Sequence, residues 1–207
     1  MKPAEAQQRV LNELEELSGK PVVLQEDSRL PNLAKIQIAS GLRPVHVLSY
    51  NPAAVPELPY LVCFQCGLAE RSLRAAPDER FNVAGTDETY RQIEKVVREQ
   101  KAIPDTMIST YSQMITDGLG TQLRSMPIGI RVDRALYSDH PELRDLQKAA
   151  AERSMKDNLG CLHPSIRAQA PALVLRATTG MNADSVGTVT ITGGTATRGD
   201  AGGSRLG

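Results

Sequence analysis

The first residues of the chain alternate apolar and polar positions with the period of an amphipathic helix. Its apolar side chains fall on one helical face: Val10, Leu11, Leu14 and Leu17. Pro3 fits the first turn of such a helix, and Gly19 stands where the C-terminal cap is expected. We therefore expect the chain to open with a helix that packs one face on the core.

Short segments rich in β-branched residues follow this helix. The segments that predict strands are 21–27, 34–40 and 45–52. Side chains from Val45 to Tyr50 alternate with a period of two, which is typical of a strand with one buried face. The tetrapeptide GLRP at 41–44 predicts a turn. We expect three strands, the last two forming a hairpin.

Helices are predicted for most of the remaining chain. A proline-rich connection leads into YLVCFQCGLAERSL at residues 60–73, which has helical spacing and ends by Pro77. Thr86 is a favourable N-cap for the next helix, because acidic residues follow it where the helix dipole stabilises negative charge. That helix is expected to stop before Pro104.

Two further helices are predicted after Pro104. The first runs from about Thr106 to Arg124, and Gly118 and Gly120 are expected to break or soften it. The second covers HPELRDLQKAAAERSMKD, with a proline in its first turn. The candidates for its N-cap are Ser138 and Asp139.

The order of a helix, three strands and then mainly helices indicates an α+β fold. Residues 1–177 are predicted to form a single domain, long enough to bury a substantial core without disulfides. Beyond Ala177 the composition shifts to Thr, Gly, Asp and Ala. Residues 178–207 are therefore expected to form a flexible, disordered tail.

Charge and composition argue against several classes of function. Lysine plus arginine and aspartate plus glutamate both number 24, so no net charge attracts the chain to nucleic acid or an anionic membrane. Aromatic residues are too few for a platform that stacks nucleic-acid bases. No apolar run approaches the roughly 20 residues that span a bilayer. With no signal-peptide pattern and 3 cysteines, we expect a cytoplasmic protein with reduced thiols.

The pentapeptide FQCGL at 64–68 lies on the helix that follows the predicted strands. In zincin peptidases the helix after the strands carries H-E-x-x-H, whose histidines bind zinc while the glutamate activates water. FQCGL stands where HECGH would stand, and ITDGLGTQLRSMPIG at 115–129 follows on a later helix. Over residues 20–130 the chain therefore resembles the small bacterial metallopeptidases of the ImmA/IrrE type.

This resemblance implies a scaffold without its metal chemistry. It puts the ligand histidines on Phe64 and Leu68 and the general base on Gln65, and none of these side chains supports that chemistry near neutral pH. A third ligand would come from Asp117 or Gln113. We expect a pseudoenzyme with no cofactor, a noncatalytic binding or regulatory protein whose vestigial cleft binds a peptide or protein segment.

The same residues also have a structural interpretation. The face around Gln65 is predicted to be chiefly core, and the amide of Gln65 would then need a hydrogen-bond partner. The residues of this face that fall at helical spacing are Leu58, Leu61, Val62, Gln65, Ala69 and Leu73. Phe64 and Leu68 are also interpreted as core packing residues. Gly67 would be explained by the close approach of a strand or a neighbouring helix.

The cysteines support an alternative, a zinc- or thiol-dependent enzyme. Cys63 and Cys66 have the spacing to reach one metal ion. Cys161 and His163, in the sequence CLHP, would complete a Cys3His set. A nucleophilic pair such as Cys66 with His163, or Cys63 with His46, also stays open. Against these alternatives, buried free thiols behave as small hydrophobic groups.

Arginines near and beyond FQCGL are candidate binding residues. Arg71, Arg74 and Arg124 would line a groove for an acidic partner, or they would be solvated surface residues. The sequence identifies no particular protein or peptide as that partner.

Overall fold

The structure is a computed structural model that describes residues 1–30, 32–79, 85–99 and 103–160. Its helices and strands are α1 (Pro3–Ser18), β1 (Val22–Glu26), β2 (Ala34–Gln37), β3 (His46–Tyr50), α2 (Leu58–Arg74), α3 (Asp87–Arg98), α4 (Ile108–Asp139) and α5 (Arg144–Gly160). The predicted α+β order of a helix, a three-stranded sheet and mainly helices is confirmed. The predicted domain boundary at 177 and the tail at 178–207 lie outside the described residues.

Helix α1 forms as its sequence predicts, with one exception. Val10, Leu11 and Leu14 are buried, and Gly19 takes the left-handed conformation at the C-cap with φ of 63°. Leu17 is 38 % exposed, so its assignment to the core face was wrong. It lies in the last turn, where α1 approaches its end and the sheet begins.

The sheet has the strand order β1-β3-β2. Strand β3 pairs in parallel with β1 and in antiparallel with β2, so the predicted hairpin of the last two strands is confirmed. Leu48 pairs in both ladders, with Leu24 on one side and Ile36 on the other. His46 and Leu48 point into the core from the middle strand and are almost fully buried.

The main core lies between the sheet, α1 and α2, and includes the C-terminal half of α4 and part of α5. Helices α2 and α4 approach closely at Gly67. A Cβ atom at this position would lie only 2.8 Å from Cγ1 of Val132. The glycine is therefore explained by the close approach of a neighbouring helix.

A second, smaller core forms between α3 and the N-terminal half of α4. Its buried residues are Val97, Ile108 and Ile115. Thr86 caps α3 as predicted, since its hydroxyl oxygen accepts a hydrogen bond from the backbone N–H of Thr89 at 3.2 Å. The two cores are linked by α4, which contributes residues to both.

Helix α4 is longer than predicted. It spans 32 residues and continues through Gly118, Gly120 and Pro127 to Asp139, so the predicted end at Arg124 was wrong. Glycine and proline each lower helix stability in water. Here tertiary packing stabilises both ends of α4. This packing outweighs the low helix propensity of the glycines and the proline in its middle.

The start of α5 also differs from the prediction. Ser138 and Asp139 belong to the last turn of α4, and His140 precedes a short 3-10 segment from Pro141 to Leu143. The continuation of α4 thus places both predicted caps inside a helix. No helix in the described ranges has the length and apolarity needed to cross a membrane.

Candidate functional site

Gln65, which the zincin resemblance would place at the general-base position, joins α2 to the edge of the sheet. Its Oε1 accepts a hydrogen bond from the backbone N–H of Ile36 at 3.1 Å. Its Nε2 donates to the carbonyl oxygen of Ala34 at 3.2 Å. A primary amide places an NH₂ donor group beside an acceptor oxygen, so Gln65 satisfies the backbone of β2 much as a neighbouring strand would.

These two groups of β2 lie on its free edge. On the opposite edge, the carbonyl of Leu33 accepts a hydrogen bond from the backbone N–H of Asn51. Backbone groups of alternate residues point to opposite sides of a strand, so those of Ala34 and Ile36 point away from β3. Gln65 therefore occupies the part of the edge where an extended peptide would add to the sheet.

Phe64 and Leu68 are half-buried side chains that pack against the main core. The Phe64 ring lies 6.0 Å from the ring of Tyr60, tilted by 42°. A Cβ atom at Gly129 would lie 3.4 Å from Cζ of Phe64. Their structural interpretation as packing residues is confirmed.

Asp117 does not lie near the FQCGL segment. The Phe64 ring meets α4 at Gly129, and Asp117 precedes that residue on the same helix. The separation of twelve positions between Asp117 and Gly129 corresponds to roughly 18 Å along a helix axis. Asp117 instead accepts a hydrogen bond from Nε2 of Gln113 at 3.0 Å. The structure thus brings Phe64, Gln65 and Leu68 together but does not bring Asp117 to them.

These positions do not fit a zinc ion. Phe64 and Leu68 have no ligand atoms, and both polar atoms of Gln65 are hydrogen-bonded to β2. No step of metal chemistry follows from this arrangement.

The acidic residue of α4 that does reach α2 is Asp133. The hydroxyl of Tyr60 donates to its Oδ1 at 2.6 Å, and Nε2 of Gln147 donates to the same oxygen at 3.2 Å. Desolvation raises the pKa of Asp133, while these two hydrogen bonds oppose the shift. This network was not predicted from the sequence. Its available signal was an acidic residue next to Val132 on the buried side of a helix.

Both cysteines of α2 are buried free thiols. Cys63 is 0 % exposed and Cys66 is 1 % exposed. Burial, with smaller contributions from nearby negative charge, raises the pKa of each thiol to about 12. Nucleophilic attack requires the thiolate, which burial disfavours here. Cys161 and His163 lie outside the described residues.

His46 contacts the hydroxyl of Ser18, as the histidine of a catalytic pair contacts its serine. Here, however, the imidazole is the hydrogen-bond donor and the hydroxyl is the acceptor. Its Nδ1 accepts a hydrogen bond from the backbone N–H of Ala39 at 3.0 Å, so Nε2 carries the proton. Nε2 lies 2.9 Å from the Ser18 hydroxyl oxygen, and that hydroxyl donates to the carbonyl of Leu14 at 2.7 Å. The imidazole therefore donates to the serine and cannot accept its proton. Burial lowers the pKa of His46.

The three candidate arginines lie on two different elements. Arg71 and Arg74 are in the last turn of α2, and Arg74 pairs with Glu70 one turn earlier at 2.7 Å. Arg124 is in the exposed middle of α4 and donates to the hydroxyl of Thr121 at 3.3 Å.

A polar groove of about 460 Å³ lies between the start of α3 and the middle of α4. We call it the α3–α4 groove, and its lining residues are Gly85, Thr86, Asp87, Tyr90, Gln113, Thr116, Asp117, Gly120, Thr121 and Arg124. It includes the sequence candidates Asp117, Arg124 and Gln113. A Cβ atom at Gly85 would lie 2.5 Å from Cγ2 of Thr116, so the segment before α3 packs directly on α4.

The groove combines two carboxylates, a guanidinium, one amide and several hydroxyls. Such a lining suits a polar ligand with groups of both signs. Within the described part of the chain, no cluster of histidine, cysteine, aspartate and glutamate could hold a metal ion. In comparisons with known proteins, no family model, no curated sequence and no solved structure matches the chain.

Proposed function

We propose that this protein is a noncatalytic binding or regulatory protein of the cytoplasm, built on a scaffold that resembles ImmA/IrrE-type metallopeptidases. The observation that carries the proposal is the position of Gln65. The residue that would act as general base holds Ala34 and Ile36 with both atoms of its amide. Gln65 would then have a structural role in place of a catalytic one. The protein would act by binding a partner, not by catalysis.

The proposed binding surface is the α3–α4 groove. An extended peptide would be excluded from the edge of β2 at Ala34 and Ile36, because Gln65 occupies those hydrogen-bonding groups. The groove is open, and its polar lining contains Asp87, Asp117 and Arg124. A peptide or protein segment with both acidic and basic side chains matches these groups.

The rival proposal is a zinc- or thiol-dependent enzyme using Cys63, Cys66, Cys161 and His163. A thiol enzyme requires the buried thiols of α2 to become thiolates, and their pKa values of about 12 oppose this at neutral pH. In a Cys161→Ser variant, a disulfide exchange reagent at pH 8 should react with the remaining thiols at the rate of unfolding. Fast reaction in the folded protein would favour the rival.

Elemental analysis and a peptidase assay test the noncatalytic proposal. We expect purified protein to contain far less than one zinc per chain, with ~1 per chain being the value for an occupied structural site. Hydrolysis of a quenched fluorescent peptide library should equal the rate without protein. Stoichiometric zinc, or hydrolysis that a chelator abolishes, would overturn the proposal.

Peptide display tests the binding surface. Random dodecapeptides selected against the full chain should include sequences that bind the wild type and lose affinity, about tenfold or more, for an Asp87→Lys variant. A Glu26→Lys variant supplies the matched control, because it makes the same charge change on exposed strand β1. Failure to select any peptide, or equal loss in both variants, would count against the groove.

A further inference from the structure

The two ends of α4 are packed in different cores, and its middle is packed in neither. Ile108 and Ile115 belong to the smaller core with α3, whereas Val132 and Leu136 belong to the main core. None of the residues from 117 to 128 is buried. The direction of one end of α4 relative to the other therefore depends on the stiffness of the helix between them.

Three features weaken the helix in this middle part. A Cβ atom at Gly118 would have no neighbouring side chain within 4 Å, so close packing does not account for this glycine. Pro127 has no N–H group, so it cannot donate the helical hydrogen bond to the carbonyl of Leu123. The hydroxyl of Ser125 donates to the carbonyl oxygen of Thr121 at 2.8 Å, a contact that often bends helices.

Proline and glycine positions are also where sharp bends of helices occur. We call residues 118–127 the α4 hinge. We define the α3 arm as α3 together with residues 108–117 of α4. The hinge therefore separates the α3 arm from the part of α4 that packs in the main core.

The α3–α4 groove extends across the start of the hinge. Its wall from α3 is fixed to α4 before the hinge, because a Cβ atom at Gly85 would lie 2.5 Å from Cγ2 of Thr116. Asp87 lies on this wall, and Thr121 lines the groove from beyond Gly118. A change of bend at the hinge therefore changes the distance between Asp87 and Thr121, which is the width of the groove.

We infer that α4 bends at its hinge and that this motion opens and closes the α3–α4 groove. The α3 arm moves as one body relative to the main core. A ligand that contacts both walls of the groove stabilises the closed form, and by linkage the closed form binds this ligand more tightly. The effect on binding rests on the proposed function, whereas the bend itself requires no ligand.

Distances between spin labels, measured in the full chain by double electron–electron resonance, test the bend. The background is Cys161→Ser, in which the remaining cysteines are buried. Labels attached through Lys95→Cys on α3 and Glu16→Cys on α1 span the hinge, and their distance distribution should be broad. Labels attached through Glu16→Cys and Lys148→Cys both lie on helices of the main core and should give a narrow distribution.

A variant that combines Gly118→Ala with Pro127→Ala stiffens the hinge. Both positions are exposed, and neither lines the groove. Alanine raises the helix propensity at 118 and restores an N–H donor at 127, so the hinge-spanning distribution should narrow about twofold or more. Asn12→Ala is the control, because it places alanine at an exposed position of α1 and should leave this distribution unchanged.

The stiffened variant also tests the effect on the groove. A peptide selected by display should narrow the hinge-spanning distribution of the wild type. The same peptide should bind the stiffened variant about tenfold more weakly, although no residue that lines the groove has changed. Equal affinity for the wild type and the stiffened variant would overturn the link between the bend and the groove.

Two results would overturn the bend itself. One is an equally narrow distribution for the hinge-spanning pair and the main-core pair in the wild type. The other is a broad hinge-spanning distribution that the two alanine substitutions leave unchanged. If display yields no peptide, the proposed function fails, but the label distances of the ligand-free protein still decide whether α4 bends.

Discussion

Gly67 on α2 and Val132 on α4 lie so close that a Cβ atom on the glycine would be 2.8 Å from Cγ1 of the valine. Gly67→Ala should therefore destabilise the protein, although alanine is the better helix former by about 1 kcal/mol. Overpacking of a core typically costs about 1–3 kcal/mol, and here it opposes that gain. Urea unfolding followed by circular dichroism measures the net change.

A second substitution separates overpacking from other causes. Val132→Ala removes the side chain that an alanine at position 67 would meet. The free energy lost by the double variant should then be smaller than the sum of the losses from Gly67→Ala and Val132→Ala. Additive losses would show that the close approach of α2 and α4 is not the reason for the glycine.

Gln65→Glu should weaken the attachment of β2. The amide N–H that Gln65 donates to Ala34 would be replaced by a carboxylate oxygen facing that carbonyl. We expect a loss of about 1–3 kcal/mol at pH 7, the usual cost of leaving a buried polar group unsatisfied. The loss should shrink at low pH, because a protonated carboxyl donates a hydrogen bond to the carbonyl. Unfolding at pH 7 and pH 4 compares the two states, and a pH-independent loss would contradict this account.

His46 should make stability depend on pH in the weakly acidic range. Its pKa is lowered in the folded protein, so the unfolded chain binds a proton more readily. The stabilisation from neutral His46 is complete above the unfolded pKa of about 6.5 and is lost as pH falls through the lower folded pKa. His46→Asn removes this titration.

The difference in unfolding free energy between wild type and His46→Asn should therefore narrow as the pH is lowered from neutrality. Ser18→Ala offers a control, because it removes the hydroxyl beside Nε2 and leaves the imidazole in place. A difference that stays constant with pH would contradict the proposed protonation state.

Asp133 should make stability depend on pH in the opposite direction to His46. Desolvation raises its folded pKa above the ordinary value of 3.8, so the folded protein retains a proton that the unfolded chain has lost. The resulting stabilisation is present below that ordinary value and is lost as pH rises through the folded pKa. Asp133→Asn keeps an oxygen for the hydroxyl of Tyr60 and removes the buried charge.

We therefore expect Asp133→Asn to be as stable as wild type at pH 7, or more stable, and to lose this advantage as the pH falls. Tyr60→Phe is a useful contrast, because it removes the donor and leaves the carboxyl less well satisfied. Its cost should be about 1–3 kcal/mol at pH 7. If the unfolding free energies of wild type and Asp133→Asn changed equally with pH, the pKa of Asp133 would be the same in the folded and unfolded states.

Local patterns predicted the elements but not all of their ends. Strand periodicity located β3, and the threonine before α3 located its N-cap, because both signals depend on neighbouring residues. The length of α4 was missed, since the local preference of Gly118, Gly120 and Pro127 is outweighed by contacts that join distant parts of the chain.

The candidate site was also predictable only where its features depend on neighbouring residues. The apolar character of Phe64 and Leu68 correctly predicted packing roles for them, and helical spacing predicted a hydrogen-bonded role for Gln65. Asp117 was expected beside them because a family pattern, not a measured distance, placed it there. The contact of Tyr60 with Asp133 joins positions 73 residues apart, and no local pattern reports such a pair.

The division of the interior into two cores has a consequence for the order of unfolding. The smaller core draws its side chains from α3, α4 and Ile103 between them, and none comes from the sheet. It can therefore open as a separate cooperative unit while the sheet, α1 and α2 keep their contacts. Amide hydrogens of α3 should exchange with solvent earlier than those of β3, making this helical pair the first part of the described chain to become accessible to proteases.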